Sequence, residues 1–130
     1  MRERIPTYIA FWRERLGLTN WQLHVRYAGR DGEEGTAAGS SADPEYEQAE
    51  LYFDVKTLGE QRYHTATPAL LSYLVLHELV HVPLYALSVL GKEYAPAEVT
   101  RTTVERATCA LTAALWRCEY GTNPPEVPPE

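Results

Sequence analysis

Leu70-Leu71-Ser72-Tyr73-Leu74-Val75-Leu76-His77-Glu78-Leu79-Val80-His81-Val82 decides how this chain is read. The run is apolar nearly all round, the pattern of a helix buried on most sides. Thr67 can cap its start, and Pro68 suits a first helical position. Inside it stands His77-Glu78-Leu79-Val80-His81, of the form H-E-x-x-H. Residues four apart share one helical face, so both imidazoles can reach one metal ion. Glu78 is rotated by about one residue step, where it can touch a water on that metal. Buried polar groups need partners, and a metal would supply them here.

Pro83 follows two residues after His81. It cannot donate to the Leu79 carbonyl and disfavours helical geometry at Val82, so the helix is expected to end or kink there. A second short helix, Leu84 to Leu90, closed by Gly91, would follow. Pro96 to Tyr120 reads as the last long helix, with Val104, Leu111 and Leu115 as its main apolar stripe. Glu98, Glu105, Cys109, Thr112 and Trp116 gather on its other side. The tail, 121–130, is proline-rich and is expected to be disordered.

Upstream, Pro6 to Leu16 reads as an N-terminal helix with Ile5, Ile9, Trp12 and Leu16 on one stripe and Gly17 as its stop. Trp21 to Tyr27 alternates as a half-buried strand, as does Glu47 to Val55, with Ala49, Leu51, Phe53 and Val55 on one face. The two are expected to pair antiparallel, with a weaker strand in Thr36 to Asp43 beside them. Glu50, Tyr52 and Asp54 form the solvated face, and an edge strand here could hold an extended peptide. Gly29 to Gly35 is an acidic turn, and Thr57 to His64 a short connection of about one helical turn. His24 and His64 read as ordinary histidines. The fold class is therefore α+β: a small, mainly antiparallel sheet of three to four strands on the motif helix, flanked by an N-terminal and a long C-terminal helix. One domain, 1–120, is expected from 130 residues.

A net charge of −6 and a pI near 5.2 argue against broad nucleic-acid binding and against an anionic membrane surface. No run of apolar residues has the length of a membrane span, and no targeting segment is visible, so a cytoplasmic location is expected. Cys109 and Cys118, nine apart on one helix, cannot bridge and read as reduced, partly buried thiols. Without a C-x-x-C spacing, neither is expected to ligate the metal.

Hydrolytic zinc commonly takes three protein ligands. His77 and His81 give two, and no third histidine follows at short spacing. Glu93, Glu98 and Glu105 are the downstream carboxylates. Glu98 stands near a helix start, where a carboxylate is favourable without a metal. Glu105 stands mid-helix, where an unpaired one is costly unless it pairs with Arg101 or lies on an exposed face, and is the chosen ligand. In the expected chemistry Glu78 takes a proton from water acidified by zinc and passes it to the leaving amine. Tyr85, Tyr94 and Tyr63 are available as oxyanion donors. The pattern does not choose among them, and Tyr85 is the nominal candidate.

Four segments together resemble a family: Trp21-x-Leu23-x-Val25-x-Tyr27, Ala49-x-Leu51-x-Phe53-Asp54, Leu74-x-x-His77-Glu78-Leu79-x-His81 and Val104-Glu105-Arg106-Ala107. The chain resembles the small zincin-like metallopeptidase domains of phages and prophages, of the glutamate-zincin type. The resemblance implies a zinc enzyme with His77, His81 and Glu105 as ligands, Glu78 as base, and a peptide or protein as substrate. It departs from the pattern at Pro83 and at Cys109, where some relatives carry an aspartate that braces a histidine. Two other functions fit the same residues: a zinc-stabilised protein-binding module without catalysis, and a regulatory protease with a single protein partner.

Overall fold

The computed structural model describes residues 1–29, 36–60, 63 and 66–128. Residues 30–35 of the acidic turn, and His64, lie outside this set. The elements run α1 (Ile5–Arg15), β1 (Gln22–Arg26), β2 (Ala38–Asp43), β3 (Gln48–Phe53), α2 (Val55–Leu58), α3 (Pro68–Tyr94) and α4 (Ala97–Tyr120). The architecture is α+β, with one three-stranded sheet of order β1-β3-β2.

The sheet is mixed, which corrects the antiparallel pairing expected for the two strongest strands. β1 and β3 run parallel, Leu23 opposite Ala49 and Val25 opposite Leu51. Only β2 runs antiparallel to β3, Ser40 opposite Leu51 and Ala42 opposite Ala49. The cause is connectivity. β2 and β3 form a hairpin through residues 44–47, while the chain between β1 and β2 is long enough to leave room for β3 between them. β3 is thus central, and the peptide-accepting edge expected around it is offered by β2 instead.

The core lies between the sheet and α3. Ile5, Ile9 and Trp12 of α1 pack with Leu51 and Phe53 of β3 and with Leu71, Val75, Leu76, Leu79 and Val82 of α3. Trp12 Nε1 donates to Ser72 Oγ at 3.0 Å, so the one polar atom of that ring is satisfied inside the core. Thr67 accepts from the Leu70 N–H, as expected of the cap. Tyr52 is buried, not solvated as its place in the alternation suggested. Its ring lies across Gly39 on the neighbouring strand, where a Cβ would stand 2.0 Å from the phenol oxygen.

α3 continues through Pro83 to Tyr94, so the helix does not end there and the separate helix expected over Leu84 to Leu90 is part of it. An interior proline costs about 3 kcal/mol through its lost hydrogen bond and clash. That cost is offset because Val80 and Val82 are buried before the proline, Leu84 packs on the core after it, and the exposed Pro83 occupies the outer face. By length and composition α3 could cross a membrane, although the reading by consecutive apolar residues found no such segment. Its apolar side chains from Leu70 to Val82 instead form the centre of the core.

The last helix corrects a second expectation. Its buried residues are Thr100, Thr108, Thr112 and Trp116, while Leu111 is exposed and Val104 and Leu115 only partly covered. The threonines bury their methyls and return their hydroxyls to the helix: Thr108 donates to the Val104 carbonyl at 2.8 Å and Thr112 to the Thr108 carbonyl at 2.6 Å. Gly91 of α3 meets Thr100 of α4 so closely that a Cβ would fall 2.5 Å from the threonine methyl. Gly91→Val should therefore force the two helices apart and cost about 1–3 kcal/mol. A thermal melt unchanged from the parent protein would disprove this packing.

Candidate metal centre

α3 presents His77 and His81 one turn apart toward α4. Their rings stand edge to face with centroids 4.8 Å apart, and their Nε2 atoms are 3.2 Å apart. From α4 the Glu105 carboxylate meets both, Oε1 at 3.1 Å from His77 Nε2 and Oε2 at 3.1 Å from His81 Nε2. Two imidazole nitrogens and a carboxylate thus converge on one point. The histidine hydrogen bonds, His77 first, hold the Glu105 carboxyl far below the ordinary carboxylate range, outweighing its partial burial.

Glu78 lies on the sheet side of the histidines and is 6% exposed. Ser40 of β2 donates to its Oε1 at 3.4 Å, so the edge strand contacts this carboxylate directly. Burial raises the Glu78 carboxyl above its usual value, and the nearby histidine charges only partly oppose that. His77, Glu78 and His81 form a group that could bind a metal ion, each offering a ligand atom within 4.8 Å of the others.

Two further residues complete the surroundings, and the sequence pattern pointed to neither role. Thr108, fully buried, stands with Oγ1 3.4 Å from His81 Nδ1. Its own hydroxyl proton is committed to the Val104 carbonyl. With that proton spent, Thr108 Oγ1 can accept from His81 Nδ1, the arrangement in which a bound cation would take the Nε2 position now facing Glu105. The signal lay only in helical spacing, Thr108 being three residues past Glu105. Cys109 is exposed rather than partly buried, and its Sγ is 3.7 Å from Glu105 Oε1. It forms a second possible donor group with His77 and Glu105, although its spacing had argued against ligation.

Of the remaining candidates, Tyr63 reaches the cavity and Glu93, Glu98, Tyr85 and Tyr94 do not. Glu93 and Glu98 are exposed and do not line the site cavity. That cavity, of ≈570 Å³, is walled by Thr36 to Ser40 on one side and by α3 and α4 on the other. Tyr52, Tyr63 and Tyr73 line it, whereas Tyr85 and Tyr94 do not. Because α3 runs on through Pro83, Tyr85 lies about one turn further along the helix than His81. Val127 and Pro128 of the C-terminal tail also reach the cavity. His24 is exposed on β1, on the polar side of that strand.

The raised Glu78 carboxyl has a consequence for the metal-free protein. A carboxyl whose folded pKa is raised contributes stability at low pH that is lost as pH rises through the folded value. Glu78→Gln should match the parent below about pH 4 and become more stable above the ordinary glutamate range near 4.3, by on the order of 1 kcal/mol. Thermal melts in chelator across pH 4 to 8 would test it, and a gap that shrinks with rising pH would refute the assigned burial cost. Glu105, with its lowered carboxyl, has the opposite slope, which falls below the ordinary glutamate range and so lies outside most of this pH window.

No protein-family model matches the chain, and neither a curated protein nor a solved structure matches it. What the geometry defines is an α+β protein with a His77/Glu78/His81 group fit for a metal ion, met by a carboxylate from the last helix.

Proposed function

We propose that the protein is a zinc-dependent peptide hydrolase of glutamate-zincin type, with His77, His81 and Glu105 as ligands and Glu78 as general base and acid. The observation that carries this is the convergence of the three donors at 3.1–3.2 Å from one another. Tetrahedral zinc with bonds of about 2.0–2.1 Å separates its ligands by roughly 3.3 Å, so the donor set fits that ion in both chemistry and spacing. Zinc bound there would supply Lewis acidity and lower the pKa of a coordinated water.

The chain's own groups support the rest. Glu78, shielded from solvent, holds a proton more tightly than an exposed carboxylate, which suits a group that takes one from water and returns it to a leaving amine. Ser40 fixes one of its oxygens, leaving the other for that task. A metal site built only for stability has no use for a buried carboxylate with so weak a partner. β2 lies in the cavity wall and, among the described residues, has no strand beyond it, so its outer edge is suited to an extended peptide. This favours a peptide substrate over a small molecule.

The test is direct. Protein purified without added metal is assayed for bound metal, then for cleavage of random peptide pools and of whole-cell protein extracts. About one zinc per chain with cleavage of either substrate supports the reading. Bound zinc with no cleavage of any substrate leaves the zinc-stabilised binding module. Cleavage confined to one extract protein points to the regulatory protease.

A further inference from the structure

We propose that Arg101 is the substrate-anchoring residue of this site, receiving a carboxylate of the bound peptide; the inference rests on the peptide-hydrolase reading and names its substrate class. Arg101 lines the cavity that contains His77, Glu78, His81 and Glu105. It lies one helical turn before Glu105 on α4, about 6 Å along the axis, and so on the same face. Its natural partner at that spacing is Glu105. The Glu105 carboxylate is occupied instead, one oxygen by each histidine. Among the described residues Arg101 makes no ion pair and no hydrogen bond, in a chain where 18 acidic residues outnumber 12 basic ones.

Arg101 is exposed, as are other cations without an ion pair, but it alone of the arginines and lysines among the described residues lines this cavity, where a ligand can reach it. Among the described residues, the other carboxylates that line the cavity are engaged elsewhere: Glu78 is buried against the sheet, and Glu105 is spent on the histidines. Guanidinium presents a planar fork of donors that matches a carboxylate with two parallel hydrogen bonds. An extended peptide advances about 3.3 Å per residue, so one turn of helix corresponds to roughly two residues from the scissile bond. The carboxylate is either an acidic side chain at that distance or the free C-terminus of a peptide cut near its end.

The experiment uses the full-length, zinc-loaded Glu78→Gln protein, so that binding is read without cleavage. Three fluorescein-labelled hexapeptide pools are titrated by anisotropy: C-terminal amides without Asp or Glu, the same pool with a free C-terminal carboxylate, and amides with one Glu scanned through the positions. At least one carboxylate pool should bind about tenfold or more tightly than the neutral amides. Adding Arg101→Gln should erase that preference while leaving the neutral pool unchanged, and Arg101→Lys should keep part of it. Preference for the second pool identifies the C-terminus, and for the third an acidic side chain. Equal binding of all pools, or an equal loss for all three in Arg101→Gln with zinc content intact, overturns the proposal. An Arg101-dependent preference in a protein whose parent cleaves nothing would sink the hydrolase reading alone.

Discussion

Glu78→Gln is expected to lower peptide hydrolysis by about 10²- to 10⁴-fold while zinc content stays at the parent level. The substitution keeps the shape of the side chain and its contact with Ser40 but removes the carboxylate proposed to hold the moving proton. The donors on His77, His81 and Glu105 are untouched, and their mutual spacing does not depend on Glu78. Loss of metal together with activity would mean that Glu78 serves as a ligand. Full activity in the variant would remove it from the chemistry. The same protein should be the more stable one at neutral pH without metal, so a fall in activity cannot be put down to a damaged fold.

Glu105→Ala should weaken zinc binding by on the order of 10²-fold or more. Four-ligand structural zinc sites are worth about 10–16 kcal/mol, so one ligand accounts for roughly 3 kcal/mol. Competition with a chromophoric chelator measures this directly. Unchanged affinity would remove Glu105 from the ligand set. Cys109 would then be the first substitute, since it already stands beside the carboxylate and His77. Glu105→Ala with Cys109→Ser would separate the two.

Much of this site was legible because it is local. H-E-x-x-H needs only helical spacing to bring two imidazoles together, and the apolar run around it forces the helix inward. Glu105 was preferred over Glu98 for the cost of an unpaired carboxylate mid-helix; the structure sets Glu105, not Glu98, against both histidines, but with its side chain 51% exposed, so that cost is not what holds it there. Strand direction was not legible, because parallel and antiparallel strands share the same alternation. The buried face of α4 was missed because threonine hides its polarity by bonding to its own helix, as Thr108 and Thr112 do. Pro83 misled because a local rule was outweighed by packing on both sides of it. The unmatched charge of Arg101 becomes visible only once the histidines have claimed Glu105.

His77, Glu78, His81 and Glu105 all lie on α3 and α4, which are joined by Ala95 and Pro96 alone. Closing so short a span costs little chain entropy, since that cost grows only as about (3/2)RT ln n. Low contact order of this kind is associated with early and rapid formation. The donor cluster is therefore expected to assemble before β1 and β3 find their parallel register, so zinc could bind a chain whose sheet is still open. The metal would then act as a clamp during folding as well as a reagent afterwards. Pulse-labelled hydrogen exchange during refolding with zinc should show α3 and α4 amides protected ahead of those in β1, and simultaneous protection would reverse that order of events.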